Sequence, residues 1–205
     1  MVSYNDAQLL RSYIQKFLEL KDEDWNLLLP HLKEMTLEKN QFFLKEGKKA
    51  RLIGFLIEGD MRHFYTHDGE ERTTYFYFEN NFVADYISCI SGMASKLNIE
   101  ALTACRLLVF PYEILKALFD KSHGWEKFGR LIAEYLALGL EERMAGLLMQ
   151  SPEERYRQLL QSNRHKIIER IPQQYIASYL GITPVSLSRI RRRSAKGKGN
   201  EFAQP

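Results

Sequence analysis

Apolar positions change their period twice along the chain. Between Asp6 and Leu20 the residues Leu9, Leu10, Tyr13, Ile14, Phe17 and Leu18 recur at helical spacing, which predicts an amphipathic helix. A second helical piece runs through Trp25 and Leu29 and stops before Pro30. From about Met35 the texture is different. QFFLKEGKKA, LIGFLIEGDMRHFYTHDGEERTTYFYF and IEALTACRLLVF are rich in Phe, Tyr, Ile and Thr and are broken by glycines and charged turns. They predict strands of an antiparallel β domain, with Asp68-Gly69 as a hairpin turn. Helical spacing returns after Pro111 through Phe119, and again in a long helix from Trp125 to Met149. That helix carries two apolar stripes: Phe128, Leu131, Tyr135 and Leu138 on one side, and Ile132, Leu136, Leu140 and Leu147 with Arg143 toward another. One stripe can pack on the β domain and the other needs a partner, so Phe128, Leu131, Tyr135 and Leu138 are the expected seam of a homodimer.

Ser151-Pro152-Glu153-Glu154 is a helix start, with serine as the cap, proline in the first turn and Glu154 closing a capping box. It divides the chain into a β domain with flanking helices (1–124), a dimerisation helix (125–150), a C-terminal helical unit (151–193) and a short polar tail, SAKGKGNEFAQP (194–205), expected to be flexible. In the C-terminal unit, PQQYIASYLGITPVSLSRIRRR reads as two short helices joined by a turn. Ile176, Ala177 and Leu180 form the inner face of the first helix, and Gly181 is placed to end it. Thr183 and Pro184 restart the chain as a helix, in which Leu187 and Ile190 point inward. The outward residues Pro184, Val185, Ser188, Arg189 and Arg192 form the pattern of a recognition helix in a DNA major groove.

The net charge of +3 conceals a division that supports this reading. Residues 151–205 hold 11 Lys and Arg against 4 Asp and Glu, a formal +7, whereas residues 1–150 hold 18 against 22, a formal −4. Basic charge is therefore concentrated on the segment with the helix pair, as expected of a nucleic-acid module joined to a domain of another kind. Only two cysteines are present, Cys89 and Cys105, too few for a zinc finger or a four-cysteine cluster, and both are expected to be reduced core residues. His31, His63, His67, His123 and His165 are too dispersed for the metal signature of a cupin-type enzyme, although His63 and His67 flank one hairpin. That enzyme, with an accessory helical domain, is the competing reading. No nucleophile elbow or phosphate-cradling glycine loop is present, so no catalytic and no metal-ligating residues are assigned. Neither a signal-peptide pattern nor a bilayer-spanning apolar run occurs, and a cytoplasmic location is expected.

In this order of elements the chain resembles the cyclic-AMP receptor and fumarate-nitrate regulator (Crp/Fnr) family of bacterial transcription factors over about residues 8 to 193. FLIEGDMRHFY, ALTACRLLVF and the run from SPEERY to SLSRIRR carry the likeness, the last resembling a subgroup common in Bacteroidetes. The resemblance implies an α+β fold: an N-terminal antiparallel β-roll of the cyclic-nucleotide-binding kind, a long dimerisation helix and a C-terminal helix-turn-helix domain. It also implies double-stranded DNA, a second copy of the chain and RNA polymerase as partners, and no membrane.

The family's ligand residues carry over only in part. Where its cyclic-nucleotide binders place a glycine-glutamate pair, this chain has Ala84-Asp85, and where they place arginine-serine it has Ser95-Lys96. At the adenine-facing threonine-serine pair on the long helix stand Leu140 and Glu141. Cyclic AMP is therefore not the expected ligand, no cofactor is assigned, and any other small-molecule effector is left open. In the recognition helix the family's arginine, glutamate and second arginine align with Pro184, Val185 and Arg189. The expected roles are thymine-methyl contact for Val185 and guanine contact for Arg189. Thr183 and Ser186 are expected on phosphates, and Arg191, Arg192 and Arg193 as backbone charge. No β wing is evident after the recognition helix.

Overall fold

A computed structural model describes residues 2–161 and 165–200. The chain opens with helix α1 (Tyr4–Ile14), shorter than its apolar spacing suggests. The helix closes early because Phe17 and Leu18 turn into the core, Phe17 meeting Phe128 edge-on with ring centres 6.0 Å apart. Helix α2 (Asp22–Leu28) and a single 3-10 turn at Leu29–His31 lead into the strands.

Among the described residues eight strands form two four-stranded antiparallel sheets. They are β1 (Lys33–Leu37), β2 (Phe42–Leu44), β3 (Leu52–Glu58), β4 (Met61–His67), β5 (Glu70–Tyr77), β6 (Phe82–Val83), β7 (Asn98–Ala101) and β8 (Cys105–Pro111). One sheet has the order β1-β8-β3-β6 and the other β2-β7-β4-β5. Their facing sides enclose Leu44, Leu56, Met61, Tyr77, Val83, Ile99 and Leu107. The β4–β5 hairpin turns at Asp68-Gly69, both with positive φ (51° and 78°), the twist that two-residue hairpin loops require. The β3–β4 turn depends on Gly59 more strictly. Its φ is +104°, and a Cβ there would lie 2.5 Å from the Ala104 carbonyl oxygen and 2.6 Å from the Cys105 sulfur.

Between β6 and β7 lies the short helix α3 (Tyr86–Ser91). After β8, α4 (Tyr112–Lys121) and α5 (His123–Met149) follow. The first turns of α5 are anchored in the main core: Ser122 caps Trp125, and both Trp125 and Phe128 are buried. Beyond Ile132 the helix leaves that core. Tyr135, Leu138, Leu140, Leu148 and Met149 are all exposed.

The C-terminal unit begins with α6 (Pro152–Gln161), which opens with the expected capping box. The Ser151 amide donates to Glu154 at 2.7 Å and the Glu154 amide donates to Ser151 Oγ at 3.3 Å. Helices α7 (His165–Arg170), α8 (Gln173–Tyr179) and α9 (Pro184–Asn200) follow. Gly181 (φ +69°) ends α8 and lets the Ile182 amide reach back to the Ala177 carbonyl. Their core, made of Tyr156, Leu159, Ile167, Ile171, Ile176, Leu180, Leu187 and Ile190, also takes in Phe76 and Leu102 from the β domain.

The expected tail from residue 194 needs correction, since α9 runs unbroken through Asn200. Ser194, Ala195 and Lys196 contain no helix breaker, and a glycine costs only about 1 kcal/mol in a helix. Residues 201–205 of that expected tail lie outside the described residues.

Candidate functional site

The interior of the β-roll is lined by phenols and an imidazole. β4 alternates, so Met61, His63 and Tyr65 share one face, buried at Met61 and open to solvent at Tyr65, and Arg62 and Phe64 share the other. His63 packs against Tyr65 (ring centres 5.8 Å) and Tyr77 (6.4 Å), and Tyr75 meets Tyr77 edge-on at 5.0 Å. Burial lowers His63 to about 4, against the opposing pull of Asp85, so the imidazole is neutral at pH 7. The Thr74 hydroxyl can donate to the His63 carbonyl at 3.3 Å while lying 3.0 Å from Nδ1. In that arrangement Nδ1 carries the proton and Nε2 is a buried acceptor, one with no hydrogen-bond partner among the described residues.

The residues aligned with the nucleotide-binding cassette stand around this interior, but with other work to do. Asp85 is buried and caps α3, accepting the Ser88 amide at 3.1 Å. Its charge acts on His63, Tyr65 and Tyr77, which places the carboxylate near the phenol cluster. Ala84 is half-buried, and its carbonyl lies 3.5 Å from the Tyr77 hydroxyl. Ser95, also buried, is bonded within its own turn, donating to the Leu97 carbonyl at 2.9 Å and accepting the Leu97 amide at 3.1 Å. Lys96 is exposed. Leu140 and Glu141 lie in the exposed half of α5, so one chain does not gather all six candidates into a single lined pocket.

The expected seam is divided by the structure. Phe128 belongs to the core of its own chain, touching Phe17, Phe82 and Trp125, and Leu131 is half-buried. Tyr135 and Leu138 are exposed at 59% and 72%, and the exposed apolar run extends to Met149. The unpartnered face therefore lies farther along α5 than the stripe beginning at Phe128. Helical periodicity reports which residues share a face but not where the helix leaves its own domain.

On α9 the expected face is presented outward. Thr183 Oγ1 accepts the Ser186 amide at 3.2 Å and meets the Ser186 hydroxyl at 3.0 Å, capping the first turn. Pro184, Val185, Ser188, Arg189 and Arg192 are exposed, Val185 at 61%, over the buried Leu187 and Ile190. Arg193 is engaged elsewhere, in an ion pair with Glu153 on α6. Two other arginines tie the helix pair in place. Arg143 of α5 donates to the Tyr179 carbonyl and stacks over that ring, and Arg155 of α6 donates to the Leu180 carbonyl at 2.9 Å.

Sequence reasoning missed a buried charge. Arg62 is 3% exposed on the outer face of β4, ion-paired to Glu71 and Glu100 at 2.6 Å each. Burial works against its charge, but the two carboxylates outweigh it and hold the guanidinium protonated. The available signal was an arginine among apolar strand residues, with Glu71 and Glu100 on strands that could lie beside it. Cys89 and Cys105 are buried thiols, Cys89 pushed up to about 11 by burial.

Residues 34–122 match the family model of the cyclic nucleotide-binding domain, the stretch that holds all eight strands except the first residue of β1 and also holds Ala84, Asp85, Ser95 and Lys96. A comparison with curated protein sequences finds no match. Solved structures share the fold. FixK2 from Bradyrhizobium japonicum superposes with a TM-score of 0.68 at 18% identity, covering 82% of this chain and 86% of that one. The c-di-GMP responsive global regulator CLP of Xanthomonas campestris gives 0.66 at 17% identity, covering 86% and 93%. A protein of Eubacterium rectale grouped with transcriptional regulators of the crp/fnr family gives 0.64 at 21% identity, covering 85% and 83%. The cupin-type enzyme finds no support in these comparisons. Among the described residues no helix is long and apolar enough to cross a membrane. The chain thus contains a cyclic nucleotide-binding domain match within a fold shared along most of its length with regulators of the Crp/Fnr type.

Proposed function

We propose that the protein is a homodimeric, sequence-specific DNA-binding transcription regulator of the Crp/Fnr type that does not respond to cyclic AMP. The observation that carries this reading is the outward face of α9. Val185, Ser188, Arg189 and Arg192 stand exposed on a helix whose first turn is capped by Thr183 and whose inner side is locked by Leu187 and Ile190. A capped helix with an N-terminal apolar contact and two arginines is suited to a major groove, Arg189 to a guanine edge and Arg192 to phosphate. The formal +7 of residues 151–205 supplies the sequence-independent attraction. The exposed apolar half of α5 supports pairing with a second copy, because a helix apolar on several sides is stable in water only when covered. With RNA polymerase as its further partner, such a dimer acts on promoter DNA in the cytoplasm.

The roll interior supports an effector other than a cyclic phosphate. Ser95 supplies no charge where the family's arginine neutralises the phosphate, and Asp85 brings a carboxylate close to the phenols. The decisive experiment is selection of fragments from the source genome with purified protein. A shared pseudo-palindrome with half-sites about 34 Å apart, or a multiple of that, is the expected result. Recovery of fragments with no common sequence would overturn the proposal.

A further inference from the structure

The helix pair does not hang free from α6. Together with α7 it is seated on the β4–β5 hairpin of its own chain and on Asp60 and Glu79, which flank that hairpin, through two polar clusters and an apolar patch. In the first cluster the Arg62 guanidinium lies between two rings, 3.9 Å from the Phe64 centre and 4.0 Å from that of Tyr175 on α8. Next to it, the Thr73 amide donates to Ser178 Oγ at 2.9 Å, and Ser178 Oγ donates to the Glu71 carbonyl at 2.9 Å. The side chain of one α8 serine thus meets both a donor and an acceptor of a strand edge. In the second cluster Arg170 of α7 pairs with Asp60 and Glu79 at 2.8 Å each, and Lys166 joins Glu79 at 3.1 Å. Phe76 and Tyr179, with ring centres 5.5 Å apart, fill the space between them.

In this seating the face of α9 that carries Val185, Arg189 and Arg192 remains exposed, so the contact does not mask that face. Its effect is to fix direction. We propose that Arg62, Tyr175 and Ser178 are positioning residues for DNA reading, holding α9 at the angle and distance that let two copies of the chain engage both half-sites of one operator together. The inference rests on the DNA-binding reading above.

The physical reason is the difference between one half-site and two. A single half-site meets only α9 and its immediate surroundings, so its affinity depends on the exposed side chains. Two half-sites at fixed spacing reward only those orientations in which both helices fit at once. A platform that restricts orientation before binding removes part of the ordering cost of the second contact. Buried Arg62 suits this role because a guanidinium stacked between two rings and paired with carboxylates on both neighbouring strands resists both sliding and tilting.

The test uses the full-length dimer and the operator found by genomic selection. Tyr175→Ala combined with Ser178→Ala alters the helix side alone and leaves the Arg62–Glu71–Glu100 cluster intact. It should weaken binding to the two-half-site operator by about tenfold or more while leaving a single half-site unchanged. Tyr175→Phe, which keeps a ring beneath the guanidinium, should behave as the parent protein. In parallel, hydrogen exchange across residues 70–78 reads the seating without DNA, since the Thr73 amide is bonded to Ser178. That peptide should lose protection in the double variant and keep it in Tyr175→Phe. Equal loss on both DNAs, no loss on either, or unchanged exchange in the double variant would each overturn the proposal. If the parent protein selects no sequence while residues 70–78 deprotect as expected, the DNA-binding reading fails and the positioning role falls with it, whereas the seating itself stands.

Discussion

The Thr74 hydroxyl lies 3.0 Å from His63 Nδ1 because β5 carries one extra residue there. His63 pairs with Tyr75 and Phe64 with Thr73, so Thr74 has no opposite number, and the bulge turns its side chain to the imidazole. The other ring nitrogen is left buried in the roll.

This arrangement sets a pH dependence. Burial lowers His63 from 6.5 to about 4, so the unfolded chain takes up a proton at a pH where the folded chain does not. Stability from keeping His63 neutral is complete above about pH 6.5 and is lost as pH falls toward 4, on the order of 3 kcal/mol over the window. Denaturant titrations at stepped pH should show that slope, and His63→Gln should remove it. A slope unchanged in the variant would mean that another group is responsible.

A second, lower window belongs to the seating of the helix unit. Hydrogen bonds from Arg170 hold Glu79 down to about 2 from the usual 4.5, against the smaller effect of burial. At Asp60 burial outweighs the downward pull of the same guanidinium and the carboxyl is raised, because Asp60 is shut from water and Glu79 is less so. Stability from Glu79 is present above about pH 4.5 and lost as pH falls toward 2. Glu79→Gln should flatten the stability curve there while leaving the His63 window intact. Acid titration of the two variants side by side separates them.

For DNA reading, Arg189→Ala should cost about 1–3 kcal/mol per half-site on the selected operator and relax the base preference. Arg192→Ala should weaken operator and random DNA alike and flatten the salt dependence. Equal losses for the two variants on both DNAs would remove Arg189 from base readout.

Dimerisation is expected along the outer half of α5. Leu138→Glu places a charge at a position 72% exposed in the single chain, so it should leave the fold intact and shift sedimentation toward the 24.1 kDa monomer. Phe128→Ala acts in the core instead, where it should cost about 3–5 kcal/mol of stability without such a shift. A parent protein that sediments as a monomer at micromolar concentration would count against the seam altogether.

Cyclic AMP and cyclic GMP should show no heat of binding at low micromolar concentration. The buried Ser95 hydroxyl is already bonded to Leu97, and burying a phosphate charge beside Asp85 without a matched cation is unfavourable. Calorimetric binding that disappears in Asp85→Ala would show that the cassette works despite its substitutions.

Much of the fold was legible because local chemistry and burial agree. The Ser151 capping box, the Asp68-Gly69 hairpin and the Gly181 stop each depend on a few neighbouring residues, and each forms as the sequence indicates. The inner and outer faces of α9 followed from helical period and charge. What could not be read were relationships between distant strands. Arg62 finds Glu71 and Glu100 only after β5 and β7 flank β4, and nothing local in FLIEGDMRHFY marks that arginine as a seat for α8. The burial of Phe128 within its own chain could not be read either, for a related reason. Phe128 has the right spacing for an outward stripe, but the aromatic residues Phe17 and Phe82 approach it from elsewhere in the chain.

The turn at Gly59 ties these distant parts to a single position. Any side chain there collides with the Ala104 carbonyl, and the next residue, Asp60, holds both the Leu102 amide and Arg170 of the helical unit. A lesion at this glycine would therefore be felt in two places: at the join of the two sheets, and at the ionic contact that seats α7. Among random alleles that abolish regulation while leaving α9 unaltered, substitutions at Gly59 should be recovered often, as a backbone defect in one domain that presents genetically as a defect of the other.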